Sequence, residues 1–287
     1  MTEFSRPFAL PPDPFVFEPA VRAALEEDIG YAGDLTTDLL ISSDARAEAR
    51  VVARAPGTLA GLICAASAFR LIDSSTKIAC GAQDGEAVAA GTVIATVCAH
   101  TRALLSAERV ALNFVGHLSG VATATRALVD AVAGTKTRIV CTRKTTPGLR
   151  TLEKYAVRCG GGSNHRFGLY DAVLVKDNHI AAAGGLRSAV ERVRAGIGHM
   201  RKLEVEVDSL AQLQEALSLA VDVILLDNMT IAELREAVTI VRGRAVLEAS
   251  GGITRQTARE IALTGVDFIS SGAITHSAPS LDVALDL

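Results

Sequence analysis

Leu203–Ser250 reads LEVEVDSLAQLQEALSLAVDVILLDNMTIAELREAVTIVRGRAVLEAS. Three short aliphatic runs, Leu203–Val207, Val221–Leu226 and Ala245–Glu248, alternate with two segments whose apolar residues recur at helical spacing, Ser209–Ala220 and Ile231–Val241. Alternation of this kind specifies βα units and a parallel sheet. Working outward, a helix is expected over Arg255–Thr264 and a strand over Asp267–Ser270. Upstream, strands are expected over Arg138–Thr142 and Ala172–Lys176, with a helix over Leu186–Arg194. No G-x-G-x-x-G opens the series, which favours a βα barrel over a dinucleotide fold. Six strands are fewer than the eight of a full barrel. The expectation is therefore an α/β fold with an irregular, incomplete βα barrel, and an open sheet is the alternative.

In such a fold the active site forms where the strands end. Those ends read Thr142-Arg143-Lys144, Lys176-Asp177-Asn178, Glu206, Asp227-Asn228, Ser250-Gly251-Gly252 and Ser271-Gly272-Ala273. In LEVEVD, Glu204 and Glu206 share one face and Val205 and Val207 the other. Helices cover the outside of a barrel, so the glutamates face in. Two inward carboxylates require cationic partners, and Lys176, Arg143 or a divalent metal can serve. Glu206 and Asp227 are candidates to hold Mg²⁺, directly or through water. The two loops, SGG and SGA, each precede a helix or helical turn and are candidate phosphate cradles. A lysine at a barrel strand end also admits a Schiff-base lyase centred on Lys176.

Thr142–Ile180 concentrates Arg143, Lys144, Arg150, Lys154, Arg158, Arg166 and Lys176 against Glu153, Asp171 and Asp177, on a chain of net charge -3. A local cationic cluster on a slightly acidic protein points to one anion pocket rather than a basic surface. Pro147, Gly148 and Gly160–Gly162 exclude one continuous basic helix and supply backbone that can approach a ligand closely. His165 has a basic neighbour in Arg166 and is read as an anion contact rather than a general base. His179 and Asn178 are read as closing the loop after Lys176.

Upstream, residues 1–14 are proline-rich and expected to lie extended on the surface. A helix is expected from Phe15 to Asp28, where Phe17, Val21, Ala24 and Leu25 recur at helical spacing. Residues 47–99 alternate apolar runs with Gly and Asp turns and read as a small β-rich unit with a helix near Cys64–Leu71. The segment DGEAVAAGTVIATV resembles folds that carry biotin or lipoate, but no lysine sits at the turn, so it reads as scaffold. Residues 101–133 form a long helical stretch that Gly116 and Gly120 are expected to break or bend.

Hydrophobic residues make up 49% of the 287 residues and aromatics only 4%, with no Trp, so the core is aliphatic. The lack of aromatic stacking platforms argues against single-stranded nucleic acid as a partner. Cys64, Cys80, Cys98, Cys141 and Cys159 contain no C-x-x-C pair, which argues against a zinc site or a disulfide framework. No apolar stretch is long enough to span a bilayer, the N-terminus lacks the pattern of a secretory signal, and no membrane is expected as a partner; the cytoplasm is the expected compartment.

LSAERVALNFVGHLSGVAT from Leu105, TRKTTPGLRTLEKYAVRCGGGSNHRFGL from Thr142, LVKDNHI from Leu174, EVEVDSL from Glu204, ILLDNM from Ile224, EASGGI from Glu248 and SSGAITHS from Ser270 together resemble the quinolinate phosphoribosyltransferase family, as does DIGYAGDLTTD from Asp28. The resemblance runs in order over essentially the whole chain. It implies conversion of quinolinate and phosphoribosyl pyrophosphate to nicotinate mononucleotide, pyrophosphate and carbon dioxide, with Mg²⁺, in NAD biosynthesis. It implies an N-terminal α/β sandwich domain, placed at residues 1–118, and a C-terminal barrel at 119–287. It further implies a homodimer in which Arg109 reaches the neighbouring subunit's site. Carried over by motif, Arg109, Thr142, Arg143, Lys144, His165, Arg166 and Lys176 bind the anionic substrates. Glu206 and Asp227 face ribose and metal. Ser250, Gly251, Gly252, Ser271, Gly272 and Ala273 take a phosphate. Lys144, Lys176, Glu206 and Asp227 are the expected catalytic groups. A relative acting on another pyridine acid, or an anion-binding scaffold without activity, are the rival readings.

Overall fold

The computed structural model of the chain describes residues 10–287. The extended segment expected at residues 1–14 lies largely outside the described residues. In chain order the elements are α1 (Pro14–Ile29), α2 (Leu35–Leu40), β1 (Arg46–Ala53), β2 (Gly57–Thr58), α3 (Leu62–Ile72), β3 (Lys77–Cys80), β4 (Ala87–Val88), β5 (Val93–His100) and α4 (Thr101–Ala131). Then follow β6 (Arg138–Val140), α5 (Arg150–Cys159), β7 (Val173–Val175), α6 (Asp177–Ala183), α7 (Leu186–Gly196), β8 (Leu203–Val207), α8 (Leu210–Ser218) and β9 (Val223–Asp227). The chain closes with α9 (Ile231–Val241), β10 (Val246–Ser250), α10 (Arg255–Ala262), β11 (Phe268–Ser270), α11 (Ala273–His276) and β12 (Val283–Asp286). It divides into two compact units. One gathers the described residues up to Arg126 with Lys144–Gly161 and Ala273–Leu287; the other holds Ala127–Arg143 and Gly162–Gly272.

The first unit is built on an antiparallel sheet in the order β12-β1-β5-β3. β1 and β5 pair from Arg46 opposite His100 to Val52 opposite Val93, with a slip of register between Val51 and Val52. Such a slip bends the strand locally. Pro14 follows the N-cap Asp13, whose carboxylate accepts from Phe15 N–H, so α1 starts where its fixed φ suits a helix. Half-buried Asp84 accepts from the N–H groups of Gly61 and Leu62 and from the Tyr155 hydroxyl. Burial raises its pKa and these donors oppose the rise. α5 is a helix beyond those expected from the sequence; its Leu152, Tyr155, Ala156 and Cys159 fall at helical spacing and are all buried. It packs with α1 and α11. Glu153 and Lys154, on α5, are fully buried, and Glu153 is bonded by His117 Nε2 at 2.8 Å and Thr146 N–H at 3.1 Å. Lys154 is thus no part of an open anion pocket within this unit.

The expected interruption of the long helix does not occur: α4 is continuous from Thr101 to Ala131. Gly116 and Gly120 are there because another segment lies against the helix. A Cβ on Gly120 would collide with the Pro279 carbonyl, and one on Gly116 would sit 3.0 Å from the Leu281 carbonyl. Gly160 has the same use, since a Cβ there would strike the Ala122 carbonyl of α4. Its freedom serves helix packing rather than approach to a ligand.

The second unit carries a parallel sheet in the order β6-β11-β10-β9-β8-β7. β8, β9 and β10 are in register, with Glu206 beside Leu225 and Leu225 beside Glu248. No strand pair joins β6 to β7; Val140 of β6 instead bridges to Ser163. This is the irregular, incomplete βα barrel that the alternation specifies. The six expected strands are present with ends shifted by a few residues, and Thr142 lies beyond β6, whose last partner in β11 is Ser270. Ser209, Thr230 and Thr254 cap α8, α9 and α10 by accepting from the backbone N–H three residues on. These caps place each helix start one short loop after its strand, so the charged strand ends are left free of the helices.

The close approach at Gly120 predicts that Gly120→Ala destabilises the protein, by about 1–3 kcal/mol net of any helix-propensity gain. Gly116→Ala should be milder. Denaturant unfolding of the two variants against the parent chain checks the order.

Candidate active site

β8 brings two carboxylates out of an apolar strand. Val205 and Val207 are buried on its other face, while Glu204 is buried and Glu206 half-buried. Each glutamate has found a partner from the second unit. Lys176, at the end of β7, places Nζ 2.5 Å from Glu206 Oε2. His165 places Nε2 2.9 Å from Glu204 Oε2. A third acid, Glu248 of β10, lies 3.8 Å from the same nitrogen. The other ring nitrogen, Nδ1, accepts the Arg166 backbone N–H at 2.8 Å. The ring proton therefore sits on Nε2 and is donated to Glu204. With both nitrogens engaged, His165 is a frame for its neighbours; the direct anion contact expected of it would require breaking one of these bonds.

Arg166 is held on several sides. Nη1 donates to the Ala172 carbonyl at 3.1 Å. The turn that follows is closed by Asp171, whose carboxylate accepts from Phe167 N–H at 2.7 Å and Gly168 N–H at 2.9 Å. Arg166 Nε is buried and has no hydrogen-bond partner among the described residues. Burial, and then the charge of Arg143, lower its pKa, while Glu204 and Asp171 raise it. Two guanidiniums that repel each other, one with an unused buried N–H, form a site that an anion would relieve.

At the neighbouring strand ends, Asp227 closes β9 and accepts from Asn228 Nδ2 at 2.8 Å. Asn228 N–H in turn donates to the Ser250 carbonyl at 2.9 Å. Gly251 and Gly252 both have positive φ, and a Cβ on Gly251 would collide with the Asn228 side chain. Only glycine allows that turn. Ser271 is buried and its N–H is used by the Val140 carbonyl at 3.0 Å. The backbone around Gly251–Gly252 is thus the more open of the two small-residue loops. His179 accepts from Lys176 N–H at 3.0 Å, which is the loop-closing part expected of it.

Thr142, Arg143, His165, Arg166, Lys176, Glu206, Asp227, Ser250, Gly251, Gly252, Ser271 and Gly272 all fall in the second unit. Arg109, Lys144 and Ala273 fall in the first. There, Lys144 is exposed and its carbonyl accepts from Thr275 Oγ1 at 2.7 Å. Arg109 is exposed and lines a cavity of about 300 Å³ with Glu27, Asp28, Asn113 and His117. Glu248 and Asp171 were absent from the expected set. A lone acid within the aliphatic run VLEAS was the available signal for Glu248; nothing local marked Asp171.

Glu206 and Asp227 offer carboxylate oxygens from the C-terminal ends of adjacent strands, without imidazole or thiolate. That set suits a hard cation completed by water and substrate phosphates. His165, Glu204 and Glu248 also bring ligand-type atoms within 4.8 Å of one another, but His165 Nε2 holds the proton it donates to Glu204 and has no lone pair for a metal.

Comparison with known proteins places the chain. Residues 34–119 match the model of the quinolinate phosphoribosyl transferase N-terminal domain, and residues 121–286 that of its C-terminal domain. A probable nicotinate-nucleotide pyrophosphorylase [carboxylating] of Synechocystis is 46% identical, covering 98% of this chain and 96% of that protein. Its counterpart in Bacillus subtilis is 44% identical over 91% and 90%. Among solved structures, NadC from Streptococcus pyogenes superposes with a TM-score of 0.94 at 40% identity, covering 97% of this chain and 98% of that one. The human nicotinic acid phosphoribosyltransferase structure, at 14% identity and a TM-score of 0.60, shares the fold alone. With two family models together matching residues 34–119 and 121–286, and relatives above 40% identical over nearly all of its length, the chain belongs to the quinolinate phosphoribosyltransferase family.

Proposed function

We propose that this protein converts quinolinate and phosphoribosyl pyrophosphate to nicotinate mononucleotide, pyrophosphate and carbon dioxide, a carboxylating nicotinate-nucleotide diphosphorylase of NAD biosynthesis. The observation that carries the reading is the Arg143–Arg166 pair, two mutually repelling guanidiniums of which one keeps a buried N–H without a partner. Quinolinate is a dicarboxylate. Guanidinium forks match carboxylates in geometry as well as charge.

The chemistry follows from the charges at the strand ends. The pyridine nitrogen attacks C1 of the ribose as the bond to pyrophosphate breaks, and positive charge develops on the sugar. Glu206 and Asp227 carboxylates beside the ribose stabilise that charge. The same two carboxylates would hold Mg²⁺, directly or through water, and the ion would supply countercharge for the departing pyrophosphate. Lys176 adds positive charge, and the Gly251–Gly252 backbone offers N–H groups to a phosphate. After transfer the ring nitrogen is cationic. The bond from C2 to its carboxylate then breaks, carbon dioxide leaves, the electron pair stays on the ring next to that nitrogen, and C2 takes up a proton. No nucleophilic side chain is needed. The ion pair between Lys176 and Glu206 opposes the Schiff-base alternative, because an imine-forming lysine must present a neutral amine.

A homodimer with Arg109 supplied across the interface completes the reading. It is supported by the exposure of Arg109 and by the large apolar side chains Phe15, Tyr31, Leu35, Leu39 and Leu40 left in solvent by α1, α2 and their connection. No helix among the described residues is long and apolar enough to cross a membrane. All five cysteines are free thiols, which fits a reducing cytoplasm.

A carbon dioxide release assay with quinolinate, phosphoribosyl pyrophosphate and Mg²⁺, omitting one component at a time, tests the activity; release without phosphoribosyl pyrophosphate would falsify it. Arg166→Ala should lower kcat/KM for quinolinate by on the order of 10²–10³-fold, because a charged fork to carboxylate is lost. A relative specific for another pyridine acid would lose far less with quinolinate. Glu206→Gln and Asp227→Asn should each shift half-saturation by Mg²⁺ to higher concentration; titration of activity with Mg²⁺ reads this, and an unchanged midpoint excludes both as ligands.

A further inference from the structure

Beside the arginines lie two carboxyls with almost no access to solvent. Glu204 is 6% exposed and Glu248 4%. With His165 Nε2, their oxygens lie within 4.8 Å of one another. The single Nε2 proton goes to Glu204 at 2.9 Å and does not reach Glu248 at 3.8 Å. Glu204 Oε1 and Glu248 Oε1 are both buried and without a hydrogen-bond partner among the described residues, and the Ser270 hydroxyl is a further donor turned to the Glu248 carboxyl. Two ionised carboxylates so placed are strongly destabilising, and one proton held between them removes most of the penalty.

A metal ion is the other way to neutralise the cluster. It would need the Nε2 lone pair, which moves the ring proton to Nδ1. That atom already accepts the Arg166 N–H, and two hydrogens would then meet head on. The geometry favours a proton.

We propose, resting on the reading that Arg143 and Arg166 anchor a dicarboxylate, that Glu248 is a positioning residue that works as a neutral carboxyl, its proton keeping one negative charge away from the anion pocket. Its influence runs through Glu204 and His165 to Arg166, whose backbone His165 holds and whose charge Glu204 feels. The charged and titratable groups facing Glu248 are Glu204 from β8 and His165, with Arg166 and Arg143 one step beyond; β9 and β11 set Leu225 and Phe268 in register beside it. Burial, and then the Glu204 charge, push the Glu248 pKa up to about 7, while His165 and the Ser270 hydroxyl pull it down. The sign follows. Below that pH Glu248 is protonated and the arginines retain positive charge for the ligand. Above it, a second buried carboxylate competes with the ligand, so affinity falls as pH rises.

Two measurements test this. Infrared titration of the unliganded protein should show a protonated-carboxyl band at about pH 6 that fades by about pH 9 and is missing in Glu248→Gln. Absence of the band in the parent protein, or a stoichiometric bound metal that Glu248→Gln loses, overturns the proposal. Equilibrium binding of quinolinate should weaken by up to about tenfold per pH unit above the transition, since one proton is linked to binding. Glu248→Gln should bind as tightly as the parent at low pH, within about threefold, and lose that slope. A variant that keeps the slope, or binds more than about tenfold weaker at low pH, also overturns it. If neither protein binds quinolinate, the substrate reading fails, and the infrared band still decides whether Glu248 carries the proton.

Discussion

Acids placed inside aliphatic strands are the constraint on which the second unit depends. Glu204, Glu206 and Glu248 stand among leucines and valines where an unpartnered charge is not tolerated. Each must be met from another element, and that requirement draws His165 and Lys176 to β8. His165 arrives with Arg166 attached through its own ring, because Nδ1 takes the Arg166 N–H. The arginine is therefore aimed by the satisfaction of a buried glutamate. Asp171 then fixes the turn beyond it through two N–H groups.

The same strands divide the charges by depth. Near the middle of β8 and β10, Glu204 and Glu248 are shut away from solvent and govern the electrostatics of their surroundings. At the strand ends, Glu206, Asp227 and Lys176 are partly open and able to meet substrate or a hydrated cation. A phosphoribosyl transfer needs both: a fixed positive field that receives anions without reorganising, and accessible carboxylates next to the carbon that becomes cationic. A helix-capped βα frame delivers them because each strand ends before its helix begins, leaving the last side chains of several strands on one edge.

Much of this was legible along the chain. Glu204 and Glu206 announce their shared face by parity with Val205 and Val207, and four charged strand ends with two small-residue loops mark a site in the sequence itself. Family motifs over the whole chain sharpened those signals into a reaction. The reading went astray where a residue's use depends on something distant in sequence. Gly116 and Gly120 look like helix breakers, yet α4 runs through them because Pro279 and Leu281 come to lie against it. Gly160 looks like a ligand-side glycine, yet α4 fills the space. Lys154 looks like a companion of Arg143 and Arg166, yet it lies on α5 and is fully buried.

The chain by itself determined its βα periodicity, the faces of its strands, the aliphatic core and the identity of the charged strand-end residues, because these follow from local spacing and composition. Tertiary structure alone decided which charges meet. That His165 spends both nitrogens on Arg166 and Glu204, that Glu248 joins them with one oxygen outside any hydrogen bond, and that Lys144–Gly161 and Ala273–Leu287 gather with the residues up to Arg126 are matters of distance across the fold. Spacing along a chain limits which face a side chain occupies; only packing sets its neighbours, and buried charge is governed by neighbours.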